Sequence, residues 1–137
     1  MPNLVQNRKL VIFNACVVSD FLYSLESLWL LKADVSRIDS FQCMCLRRIS
    51  KIQPSFISRI SNETVFAHTG QEKLSAVFRR RQVQAYQKVR AMPVDSPVRR
   101  LVCNAVGSPI IWNRCRKRGR PRQTWSESVY KLENLTI

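Results

Sequence analysis

Between residues 34 and 65 the chain reads DVSRIDSFQCMCLRRISKIQPSFISRISNETV. Val35, Ile38, Phe41 or Gln42, Cys45 and Ile49 recur every three or four residues. That spacing places an apolar stripe on one face of a helix. Arg37, Arg47, Arg48 and Lys51 fall mainly off the stripe. Asp34 can accept from free backbone N–H groups of a first turn and is the expected N-cap. Pro54 cannot continue a helix and pushes Gln53 toward an extended conformation, so the helix is expected to stop there. Ser61 or Asn62 would cap the segment that follows.

Upstream, residues 8–23 predict a second helix. Leu10, Asn14 (or Phe13), Val17 and Phe21 mark one face, and Val11, Val18 and Leu22 widen it. A helix this apolar is expected at the centre of the core. Residues 1–6 read as a frayed terminus, or as the point where a longer ancestor was cut. Residues 24–31 are ambiguous between a short extended piece and a continued helix, with Trp29 as anchor.

Downstream, a short helix over 63–68 should end at Gly70, a favourable C-cap residue. A long helix follows over 72–92, with Leu74, Val77, Phe78, Ala85, Val89 and Met92 on its apolar face and Pro93 as its stop. Ser96-Pro97 is an N-cap followed by proline at the first helical position. That helix carries Val98, Leu101, Val102 and Ala105 and should end near Gly107. A last helix over 123–135 carries Trp125, Val129 and Leu132. The expectation is an all-α fold: a small irregular bundle of five or six helices with a basic Gly-Arg-Pro loop near the C-terminus. The divisions are a helical region 1–107, the basic loop 108–122 and a terminal helix 123–137. At most a short strand is expected near Leu22–Leu28.

The chain has 137 residues, enough for one ordinary domain, and 45% hydrophobic residues, enough for a modest core. Its formal net charge is +14, which attracts polyanions, nucleic acid first among them. Two constellations would make that contact. The first is the loop holding Arg114, Arg116, Lys117, Arg118, Arg120 and Arg122 with no acidic residue. Its Lys117–Arg122 core resembles an AT-hook, which lies narrow in an A·T-rich minor groove. A phosphate-contacting loop, the commoner mode, is the first reading; minor-groove reading and a structural or nuclear-address role are the others. The second is Arg47, Arg48, Lys51 and Arg59 with Arg79, Arg80, Arg81, Lys88 and Arg90. These either line one basic surface or scatter over solvated faces. Arginine suits phosphate because its planar fork donates two hydrogen bonds.

Catalysis finds little support. The nine carboxylates are dispersed, with no adjacent aspartate pair for two-metal chemistry. There is no glycine-rich phosphate loop, and the single histidine, His68, has no positioned acid. The five cysteines are Cys16, Cys43, Cys45, Cys103 and Cys115; an odd number without C-x-x-C argues against a disulfide framework and for a reducing compartment. Cys16 and Cys45 are expected as small buried hydrophobes. No metal or other cofactor, small-molecule substrate or membrane partner is expected. Leu10–Leu31 is the most apolar stretch, but Asn14, Asp20 and Glu26 interrupt it as a membrane span. A nuclear or cytoplasmic location, without secretion, follows from the same reading.

Three ordered segments carry a resemblance. Leu22–Trp29, LYSLESLW, looks like the "leu-tyr-gly-x-glu-thr-trp" segment of non-LTR retrotransposon reverse transcriptases. The arginine-rich helix RIDSFQCMCLRRI followed by ISNETV is similar to the region downstream of their polymerase core. Arg118–Trp125, RGRPRQTW, looks like their "gly-arg-pro-arg-x-x-trp" segment. Ser24 stands where that family has glycine and Leu28 where it has threonine, departures that suggest drift. The resemblance implies the thumb and C-terminal connection, which hold a template–primer duplex, without the palm's aromatic-x-Asp-Asp carboxylates. On it, the chain is a non-catalytic nucleic-acid-binding remnant of such an enzyme. The other readings are a stand-alone DNA-binding or interaction protein with an AT-hook-like loop, and a translated pseudogene fragment without function.

Overall fold

The structure is a computed structural model; it describes residues 4–23, 25–110 and 124–135. Among these the protein is all-α. The helices are α1 (Leu4–Ile12), α2 (Ser19–Leu22), α3 (Lys32–Ile49), α4 (Ser55–Ser58), α5 (Asn62–Thr69), α6 (Leu74–Ala91), α7 (Pro97–Val102) and α8 (Trp125–Leu135). A π-helical segment, Phe13–Val18, joins α1 to α2, and a 3₁₀ turn occupies Leu25–Ser27 where a short strand was allowed. The one extended pairing among the described residues is a single antiparallel bridge between Cys103 and Pro109. Several helices are only one or two turns long, so there are more of them than the periodicity suggested.

The chain divides into two compact units. The first is Met1–Leu25 with Leu30–Phe78, and the second is Glu26–Trp29 with Arg79–Ile137. The division falls inside α6.

In the first unit α3 packs on α1 and α5. Leu10, Phe13, Cys43, Leu46, Val65 and Phe66 form one buried cluster; Leu22, Leu74 and Phe78 form another. The stripe on α3 differs from expectation. The buried positions are Gln42, Cys43, Leu46 and Arg47, while Val35, Ile38, Cys45 and Ile49 are half-buried and Phe41 is exposed, stacked on Phe21 at 5.9 Å. Two of the four are polar because each is fully employed. Gln42 Nε2 donates to Glu72 O (2.8 Å) and its Oε1 accepts from Leu74 N–H (2.8 Å), while Asp39 Oδ1 accepts from Ser75 N–H (3.0 Å). Side chains of α3 thus satisfy the orphan donors at the start of α6, a task usually given to a local cap.

The ends of α3 also correct the sequence reading. The helix begins at Lys32 with Leu31 at the N-cap, and Asp34 sits in the first turn facing Arg37 at 3.5 Å. It ends before Pro54. Lys51 adopts φ 56°, Lys51 N–H donates to Arg48 O (3.3 Å) and Ile52 N–H donates to Arg47 O (2.9 Å). This 5→2 and 6→1 pair is a Schellman motif, with lysine in the left-handed position usually given to glycine. The short helix α5 follows expectation: Ser61 Oγ accepts from Thr64 N–H (3.2 Å) and Gly70 closes it at φ 63°.

The N-terminal run is less central than its apolarity predicts. Leu10, Phe13 and Leu22 are buried, but Leu4, Val5, Val11, Ile12, Val17 and Cys16 are exposed. The π turn adds about one residue to the helical repeat. Val18 and Leu22 therefore turn inward, and Cys16 and Val17 turn out. By length and composition alone Leu4–Ser27 is apolar enough to cross a membrane, and 18% of its most apolar window is buried. Asn14, Asp20 and Glu26 remain the argument against a span.

In the second unit Tyr86, Cys103 and Val129 form the core, flanked by Trp29, Val83, Val102, Trp125 and Tyr130. Two polar residues of α6, Gln82 and Tyr86, are buried there where the expected face had Ala85, Val89 and Met92. Gln82 Nε2 donates to Leu28 O (2.6 Å), Tyr86 OH donates to Gly107 O (3.2 Å) and Trp125 Nε1 donates to Glu26 O (2.9 Å). The α7 helix starts at Pro97, as expected, but stops at Val102. Asn104 to Gly107 then form a turn closed by Gly107 N–H to Asn104 O (2.9 Å), with Gly107 at φ 87°.

Candidate nucleic-acid interface

The cations named from the sequence fall into three groups. Arg114, Arg116, Lys117, Arg118, Arg120 and Arg122 lie outside the described residues. The other two groups belong to different units.

In the first unit Arg48, Lys51 and Arg59 are exposed, and Arg47 is not. The Arg47 guanidinium is turned inward over the α3–α5 connection. It donates to Gln53 O (3.0 Å), Ile60 O, Asn62 Oδ1 (3.1 Å) and more weakly to Ser58 Oγ (3.4 Å). A fork spent on two carbonyls and an amide oxygen is not available to phosphate, so Arg47 acts as a structural tie within the connection. Sequence pattern cannot separate the two, because Arg47 and Arg48 are adjacent and equivalent in it. Arg59 closes α4 at φ 53°. The span from Ser40 to Asn62 contains four cations and no carboxylate. Along it runs an open groove of about 370 Å³. Beside the groove, α4 carries Phe56 at 81% exposure and Ile57 at 59%.

In the second unit Arg79, Arg80 and Arg81 are all exposed. Consecutive helical residues turn by about 100°, so the three fan over more than half of the helix circumference. Arg81 and Lys88 share a shallow depression with Glu26, Gln84 and Ala85. Arg90 lies 3.9 Å from Glu133, its stem against Gly107. Arg99 is turned to backbone, donating to Met92 O (2.6 Å) and Ala105 O (3.3 Å).

Among the described residues the cysteines are free thiols: Cys43 and Cys103 buried, Cys45 half-buried and Cys16 exposed, the last against expectation; Cys115 lies outside the described residues. Burial pushes the Cys45 thiol pKa up, and Arg48 opposes that only partly. This is the opposite of what a reactive thiol needs. Among the described residues no three His, Cys, Asp or Glu side chains gather as a metal site.

Comparison with protein-family models, curated proteins and solved structures finds no match for the chain.

Proposed function

We propose that the protein binds nucleic acid without catalysing a reaction on it, contacting chiefly the phosphate backbone of DNA or RNA. The observation that carries this reading is the exposed run Arg79–Arg81 on one rigid helix, in a chain of net charge +14. A helix holds such a run at fixed spacing, and exposed guanidiniums displace counterions condensed on a polyanion. Arg48, Lys51 and Arg59 add to it, and the acid-free sequence Arg114–Arg122 supplies six more cations. The resemblance to the post-palm region of a non-LTR reverse transcriptase supports the same reading and makes the chain a remnant that grips a duplex.

The test is duplex binding by fluorescence anisotropy across salt concentrations. With about six phosphate contacts, log K should fall against log salt with a slope of roughly −5. Replacing Arg118, Arg120 and Arg122 by alanine should flatten it by roughly 3. A larger loss on A·T-rich than on G·C-rich duplex would mark minor-groove reading by that segment. No binding to either duplex at about 50 mM salt, a concentration at which phosphate contacts are strong, would refute the proposal.

A further inference from the structure

The face around α4 has the composition of a site for an unpaired base. Phe56 is 81% exposed on a single helical turn set out by Pro54, and Ile57 beside it is 59% exposed. Phe56 and Ile57 leave two neighbouring apolar side chains in water, next to an apolar-lined groove, and an exposed apolar patch marks an interaction surface. The adjoining groove, about 370 Å³, is lined by Cys43, Met44, Arg48, Ile52, Pro54 and Ser55. Its volume falls in the range of small-ligand sites. Its floor is fixed by Arg47, which ties Gln53, Ile60 and Asn62 together from beneath. Arg48, Lys51 and Arg59 are exposed in the same acid-free span.

We propose that this face takes an unpaired nucleotide of a single-stranded nucleic acid. The base would stack on Phe56 and lie toward the groove, and its flanking phosphates would meet Arg48, Lys51 and Arg59. Aromatic stacking beside a cationic track is the usual arrangement for single strands and tolerates any base. Paired bases in a duplex are already stacked and present no face to a protruding ring. The charge selects a polyanion over an apolar partner. The proposal rests on the nucleic-acid reading above and deepens it.

The experiment uses the full chain, fluorescein-labelled 12-mers of dT and U, a fully abasic 12-mer of the same charge, and a duplex. Phe56→Ala should weaken binding to dT and U strands about tenfold, within the range of one lost stacking contact. It should leave duplex affinity unchanged, while Phe56→Trp keeps single-strand affinity. The abasic strand should bind wild type and Phe56→Ala alike. Circular dichroism should match across the variants, since the ring is exposed. If Phe56→Ala leaves single-strand affinity intact while duplex binding persists, the stacking site is wrong and the phosphate-binding reading stands. If neither strand nor duplex binds, both fail. Binding of poly-glutamate that drops with Phe56→Ala would assign the face to an acidic peptide and overturn the proposal.

Discussion

Arg47 and Arg48 are neighbours in sequence with opposite placements, and that contrast gives the sharpest prediction. Arg47→Met keeps most of the aliphatic stem and removes the fork. Gln53 O retains a donor, the Ser58 hydroxyl at 3.0 Å. Asn62 is exposed and turns to water. Ile60 O loses its guanidinium partner. The variant therefore gives up two or three charge-assisted bonds worth roughly 1.5–3 kcal/mol each. Against this stands the relief of no longer desolvating a cation, which offsets part of the loss. The net cost is about 3 kcal/mol. At a urea m-value of about 2 kcal/mol/M for a chain of this size, the midpoint should fall by roughly 1.5 M with m unchanged. Arg48→Met, on the exposed side, should cost less than about 0.5 kcal/mol.

The assay is urea unfolding followed by circular dichroism, run in parallel with the anisotropy salt series. Arg47→Met should lower the midpoint and leave the salt slope of binding alone in conditions where the protein is folded. Arg48→Met should do the reverse, flattening the slope by about one unit. Equal midpoint shifts for the two variants would refute the structural role of Arg47. A flattened slope for Arg47→Met would return it to the binding surface.

Three further outcomes follow from the backbone and from one buried phenol. Lys51→Gly should raise stability by about 0.5–1 kcal/mol in a thermal melt, since φ 56° strains lysine and suits glycine, while flattening the salt slope by about one unit. Gly107→Ala should cost about 1–2 kcal/mol by the same measurement, because φ 87° disfavours a side chain and the added Cβ would stand 2.9 Å from Arg90 Nε. The Tyr86 phenol, raised well above its ordinary range by burial first and by its hydrogen bond with Cys103 second, stays neutral in the folded state while the unfolded chain ionises near pH 10. Its contribution is fully present below pH 10 and fades as pH rises toward the folded value. Denaturation midpoints measured from pH 9 to 11.5 should fall with a slope of at most about 1.4 kcal/mol per pH unit, and Tyr86→Phe should remove that fall.

Where the chain's own local signals were sufficient, sequence and structure agree. Ser61 caps α5, Gly70 closes it, Pro97 starts α7, and Val129 sits at the centre of its unit. Each of these needs only the residue and its immediate neighbours. The misreadings are long-range. Gln42 is buried because the start of α6, thirty residues on, needs a hydrogen-bond acceptor. Val17 points outward because Phe13–Val18 is wound as a π turn, which shifts the face of everything after it. The stop of α3 at a left-handed lysine carries no composition signal, whereas Pro54 advertised a stop that the helix never reached.

The candidate interface divides along the same line. That α6 carries exposed arginines was readable, because three in succession cannot share a buried face. That only one member of the Arg47–Arg48 pair faces solvent was not. A cation is drawn inward when backbone carbonyls left over from a tight connection outnumber the donors near them, and those carbonyls come from the chain path between α3 and α5. In the connection at residues 53–62, Arg47 donates to the Gln53 and Ile60 carbonyls and to the Asn62 side chain. The same side chain ties Gln53 to Ile60 and Asn62, and so fixes both ends of the segment that carries α4 and its exposed Phe56.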